Sequence, residues 1–144
     1  MEGRFEKTII IRECKTSLAI MFVLENAAKD KNVLLVVRDG EEVESVKKRI
    51  LNIFAKFCTT SIRLTRRGIE FDDGGKIRVG TPDEMLEPGC AYSCVVFLDC
   101  EELVSKEGWH ELNAVLTINA SIYKIKRPNV NLYRIFPNPF QLIS

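Results

Sequence analysis

Two short stretches carry residue types suited to phosphate chemistry. Arg12-Glu13-Cys14-Lys15-Thr16-Ser17 precedes a long apolar run, and Phe97-Leu98-Asp99 ends another. The first amides of a helix lack partners inside it and favour an anion beyond its N-terminus. A lysine there reaches outer phosphates, and a hydroxyl beside it ligates Mg²⁺. Lys15 and Thr16 supply that pair, flanked by Arg12 and Ser17, which makes these four candidate nucleotide-binding residues. An apolar strand tipped by a carboxylate is how an Mg²⁺-binding acid is brought to such a loop, so Asp99 is the fifth. Thr16 and Asp99 are the metal ligands if Mg²⁺ binds, and Asp99 and Glu101 are the only catalytic candidates. Each signal alone has a plain alternative, because Lys-Thr pairs start many helices and Asp caps many others.

The elements around these residues must bring them to one place. Thr8–Ile11 is a short β-branched run expected to form a buried strand, and 15–29 is expected to be a helix, almost wholly apolar over 18–24. Asn32–Val37 reads as a second buried parallel strand. Asp39 caps a second helix, with Glu42 placed to close a capping box. Val43, Val46, Ile50, Ile53, Phe54 and Phe57 make one apolar face of that helix at helical spacing. This strand–helix alternation predicts a parallel sheet, which binds ligands at the carboxyl ends of its strands.

The middle of the chain changes period. Ile62, Leu64, Ile69, Phe71, Ile77 and Val79 alternate with polar residues, with turn signals at Arg67-Gly68 and over 72–75, which predicts an antiparallel meander of three strands. A short helix is expected at 83–86, a third buried strand at 94–98, and a helix over 108–118 burying Trp109, Leu112, Val115 and Leu116. Strands follow at 122–125 and 132–136, and the prolines of the tail exclude helix there.

The chain has 144 residues, 46% of them apolar and 28% charged, with a net charge of +1. That composition predicts one globular domain spanning 1–144 and excludes a disordered or repetitive chain. A dedicated nucleic-acid binder has a larger basic excess, so contact with DNA or RNA would need a local patch. Arg63, Arg66 and Arg67, with Lys76 and Arg78, form one such group. The interleaved Glu70, Asp72 and Asp73 make a solvated mixed-charge face its first reading and a phosphate-contacting edge its second. Lys126 and Arg127, with Lys124, Arg134, Tyr123 and Tyr133, form another, where bases of a single strand could stack. The five cysteines are an odd number, and Cys14, Cys94 and Cys100 lie in or beside apolar runs. They read as reduced, buried thiols in an intracellular protein. Cys90, Cys94, Cys100 and His110 lack zinc-finger spacing, and His110 has no evident nucleophile partner. The charged N-terminus is unlike a signal peptide, and no run approaches a membrane span.

The order of elements, together with IIIRECKTSLAI, KNVLLVVRDGEEVESVKKRI, GIEFDDGGKIRVGTPD, CVVFLDCEEL and GWHELNAVL, resembles the ATPase domain of viral large terminase subunits, the motors that pump DNA into capsids. GTPDEML and VVFLDCEEL are also similar to DEAD-box helicases, which share that core. The resemblance covers about 6–138. It implies an α/β fold with a three-layer P-loop NTPase-like core, a mainly parallel sheet and an antiparallel meander. It also implies ATP and Mg²⁺ as ligands, and a homo-oligomer or a larger ATPase or nuclease subunit as partner. A viral setting would place the protein in the host cytoplasm or nucleus.

The departures are chemical. A phosphate-wrapping loop needs glycines, and none lies between Arg12 and Ser17. Cys14 stands where a Gly would precede Lys15, and the loop is about one residue short. Cys100 occupies the place of the acid that polarises the attacking water, with Glu101 one residue on. The coupling segment, usually rich in Ser and Thr, reads Lys126-Arg127-Pro128-Asn129. The expectation is therefore a degenerate ATPase-like domain with weak or no hydrolysis, acting in genome handling through nucleotide, nucleic-acid or protein binding. The alternatives are a non-catalytic scaffold that pairs with itself or a true ATPase, and a helicase-like nucleic-acid-binding lobe.

Overall fold

A computed structural model describes residues 4–29, 31–57, 62–66, 68–72, 75–86 and 89–128. In chain order the elements are β1 (Phe5–Ile10), α1 (Lys15–Ala27), β2 (Asn32–Val36), α2 (Gly40–Phe57), β3 (Ile62–Thr65), β4 (Gly68–Phe71), β5 (Lys76–Gly80), β6 (Tyr92–Leu98), α3 (Lys106–Val115) and β7 (Leu116–Lys126). A single 3₁₀ turn, Glu101–Leu103, links β6 to α3. The seven strands form one sheet in the order β1-β7-β6-β2-β5-β4-β3. From β1 through β5 all neighbours are parallel, and β4 and β3 extend the sheet antiparallel.

Alternation along the central strands divides the core. Val33, Leu35, Cys94, Val96 and Leu98 face α1 and α2, meeting Ala19, Ile20, Val23, Val46 and Ile50. Leu34, Val36, Val95 and Phe97 face the other way, toward Leu112 of α3. Burying each such aliphatic side chain contributes about 1.5–3 kcal/mol. The result is helix, sheet, helix: three layers, as expected. Tyr92 and Cys94 are two apart yet lie in different layers, because the pairing of β6 with β7 jumps between them.

Local chemistry sets the boundaries. Asp39 Oδ1 accepts from the Glu42 amide at 2.9 Å, and Glu42 Oε1 accepts from the Arg38 amide at 2.9 Å, so the capping box closes one residue earlier than its usual form. Ser105 Oγ accepts from the Gly108 amide at 2.9 Å and starts α3. Gly68 is needed for strand approach, since a Cβ there would sit 1.9 Å from the Ile77 carbonyl oxygen.

Several expectations change. The first strand is an edge strand with five of its six residues exposed, not a buried one. Residues 83–86 form a turn held by an isolated Thr81–Glu84 bridge, without a helix. The third helix stops at Val115 and the chain passes straight into β7, so Ile118 lies on a strand, 81% exposed. Apolar spacing across 112–118 fits both elements, and pairing with β6 decides for the strand. Cys14 is exposed, whereas Cys94 and Cys100 are buried. The expected strand at 132–136 and the residues Arg67, Tyr133 and Arg134 lie outside the described residues.

Candidate functional site at the carboxyl rim of the sheet

Because β1, β7, β6 and β2 run parallel, Ile10, Lys126, Leu98 and Val36 end at one rim. The loop bearing Lys15 leaves β1 there, and Asp99 follows β6 there, one strand away across β7. Both residues predicted to share a rim therefore do so.

The loop from Ile11 to Cys14 is short. The Ile11 amide donates to the Lys126 carbonyl at 2.9 Å, and the Leu18 amide closes the first helical bond on the Cys14 carbonyl at 3.0 Å. Cys14 is left-handed, at φ 62° and ψ 27°. A side chain with a Cβ pays about 1–2 kcal/mol for that conformation, which glycine adopts freely. The backbone thus makes the glycine-favoured turn with a residue ill suited to it. The Ser17 hydroxyl accepts from Arg49 Nη2 of α2 at 2.8 Å.

Asp99 is the second left-handed residue, at φ 53°, and its amide donates to the Ile125 carbonyl at 2.7 Å. Its side chain is only 14% exposed and is already occupied: Arg127 Nε donates to Oδ2 at 2.7 Å. The Arg127 amide approaches Oδ1 at 3.4 Å. The hydrogen bond to Asp99, and then its charge, raise the Arg127 pKa. Arg38, at the end of β2, donates to the Asp99 carbonyl and to Glu102 Oε1, the latter at 3.0 Å. Glu101 is 12% exposed at its side chain, with Lys126 Nζ 3.1 Å from Oε1, a charge contact rather than an aligned hydrogen bond. Asp99, Glu101 and Glu102 are thus each paired with a cation.

Cys100 is fully buried, its thiol donates to the Val36 carbonyl at 3.3 Å, and burial pushes its pKa up to about 12. It stays protonated at neutral pH and accepts no proton from water. An open cleft of about 950 Å³ lies at the rim, lined by Thr8, Ile10, Arg38, Asp99, Glu102, Lys126, Arg127 and Pro128. Lys15 and Thr16 are not in its wall. At this rim Asp99 is thus engaged by Arg127 and Cys100 is a buried, protonated thiol.

The remaining candidates separate. Lys126 and Arg127, predicted as nucleic-acid contacts, belong to the rim and are held by its acids. Tyr123 offers no platform for a base, because it stacks on Phe22 of α1 with centroids 4.4 Å apart. Lys124 pairs with Glu6 and lies over the Trp109 ring at 5.3 Å. Arg63 is hydrogen-bonded to Glu70, lowering the Glu70 pKa through that bond first. Arg66 lines two cavities beside the meander. Arg78, read as part of a solvated face, is instead 4% exposed.

Sequence reading missed Arg38 and the depth of Arg78. The strand-end rule that singled out Asp99 applies equally to Arg38, one residue beyond the buried Val37. Nothing local marks Arg78, because turn 82–86 folds over it, with Nε donating to the Met85 carbonyl at 2.6 Å and Nη2 to the Leu86 carbonyl at 3.2 Å.

No described helix is long and apolar enough to cross a membrane. No protein-family model matches the chain, and no curated protein does. Among solved structures, the large terminase from the thermophilic bacteriophage D6E is similar, with a TM-score of 0.61 and 11% identity, over 99% of this chain. This chain spans 38% of that terminase. The N-terminal domain of the DNA packaging ATPase from bacteriophage phi29 is similar too, with a TM-score of 0.56 and 11% identity, over 94% of this chain and 82% of that one. At such identities the likeness is one of fold, and the fold of this chain is terminase ATPase-like.

Proposed function

We propose that the chain is a degenerate viral ATPase-type domain, related to DNA-packaging motors, that acts in genome handling by binding rather than by hydrolysing ATP. The observation that carries this reading is the Asp99–Arg127 ion pair, at 2.7 Å, on a terminase-like fold. That acid already has a cationic partner, which a metal would have to displace. The neighbouring Cys100 cannot orient water, and together these losses remove several kcal/mol of transition-state stabilisation. Lys15 and Thr16 at the start of α1 would support weak nucleotide binding without turnover.

In a viral setting the protein works inside the host cell, with another copy of itself or a larger ATPase or nuclease subunit as partner. A pure scaffold is the second reading, favoured by the pairing of Asp99, Glu101 and Glu102 with cations of the same rim. Calorimetric titration with ATP and Mg²⁺ separates the two, since heat that Lys15→Ala abolishes supports nucleotide binding. The non-hydrolytic reading predicts no turnover in a phosphate-release assay. Mg²⁺-dependent turnover lost in Lys15→Ala overturns it.

A further inference from the structure

We propose that the cavity between β4, β5 and the start of β6 is a phosphoanion site, with Arg66, Lys76 and Arg78 as its cationic wall. It lies toward the starts of β5 and β6, away from the rim that holds Asp99, and its volume is about 220 Å³. That is below the roughly 300–1,000 Å³ of pockets for drug-sized ligands, so it admits a phosphate group while a base stays outside.

Arg78 makes the cavity more than a surface dip. A guanidinium keeps its charge at any ordinary pH, and burying a charge demands compensation. Two of its nitrogens are satisfied by the Met85 and Leu86 carbonyls, which fix its plane. Nη1 is buried and has no hydrogen-bond partner among the described residues. With almost no surface of its own open to solvent, Nη1 lends its charge from behind the cavity wall rather than through a direct contact. Arg66 and Lys76 add two exposed cations to the same wall.

The carboxylate in that wall, Glu70, is committed to Arg63 by a hydrogen bond. The described wall therefore carries three cations against one engaged acid, in a chain whose net charge is only +1. Planar guanidinium groups match phosphate oxygens, with the lysine as a supplementary point charge. This deepens the nucleic-acid arm of the proposed function by giving it a location, and it does not depend on the nucleotide loop.

The test is isothermal titration of the full chain with inorganic phosphate and, separately, with a short oligothymidylate, each at two salt concentrations. The double variant Arg66→Gln/Lys76→Gln changes only exposed side chains and keeps the fold. It should weaken binding at least tenfold and lower the salt slope for the oligonucleotide by about 1.4, at about 0.7 per cation on a single strand. Any heat from ATP and Mg²⁺ that Lys15→Ala abolishes should survive in the double variant, so failure here is distinct from failure of the nucleotide reading. Oligonucleotide binding far tighter than phosphate binding, and dependent on Arg66 and Lys76, assigns the phosphate to a nucleic-acid strand. Equal binding of the two assigns it to a free phosphoanion. Absence of binding by both, or binding that the double variant leaves intact, overturns the proposal.

Discussion

Arg127 closes on Asp99 from the neighbouring strand, Nε to Oδ2 at 2.7 Å, so the acid that tips β6 is neutralised by the residue just past the end of β7. Arg127→Ala should free that carboxylate. The arginine is largely exposed, so the stability lost is small. The informative readout is metal response: Mg²⁺ should raise the melting temperature of the variant and leave the parent unchanged. Equal responses in both proteins would mean that Arg127 is not what withholds Asp99 from the ion.

Restoring an acid beside Asp99 should fail. Cys100 is fully buried against Val36, so Cys100→Glu inserts a carboxylate into an apolar site without a prepared partner. The expected cost is about 3–5 kcal/mol, measured by urea unfolding. No ATP turnover should appear. A stable, hydrolytic variant would show that the site lacks only one residue.

Alkali should unfold the protein through its buried thiols. Burial raises the Cys94 and Cys100 pKa values from 9.0 to about 12. The fold therefore holds both protons more tightly than the unfolded chain does. That stabilisation is complete below pH 9.0 and is lost as pH rises toward 12. The slope is about 1.4 kcal/mol per pH unit for each thiol. Urea midpoints followed across this window should fall, and Cys94→Ala should roughly halve the slope.

Gly68→Ala tests the seam between the parallel sheet and its antiparallel extension. The added methyl meets backbone, the Ile77 carbonyl oxygen and the Arg78 Cα, which cannot swing aside. A loss of about 3 kcal/mol is expected, as for other overpacked interiors. Thermal unfolding by circular dichroism would measure it, and a change under about 0.5 kcal/mol would place it with ordinary surface substitutions.

Much of this architecture is legible in the sequence because its signals are local. Asp39 with Glu42, the apolar face of α2 and the alternation through β3, β4 and β5 each declare an element within a few residues. The NVLLVV and CVVFL runs declare the two central strands for the same reason. What escaped reading is set by partners far away in the chain. Phe5 to Ile10 is β-branched enough for a core strand, yet its place at the sheet edge follows from β7. Leu116 and Ile118 continue a helical spacing that only β6 interrupts. At the rim, the positions of Lys15 and Asp99 follow from strand order. That Arg127 rather than a ligand meets Asp99 depends on register across β6 and β7, which no local pattern encodes.

That register has its own origin. Tyr92 faces Leu116, but Cys94 faces Ser121, so β7 carries extra chain there before Leu98 comes level with Ile125. Had pairing run on evenly from Tyr92, Leu98 would sit opposite Ile122, and the neighbours of Asp99 would be Tyr123 and Lys124. The stretch 117–119 thus works as a spacer that selects which side chains arrive at the far end of the strand. Shortening it would exchange one set of partners for another without altering a single residue at the rim, a route by which insertions and deletions could retune this surface while every motif around it stays the same.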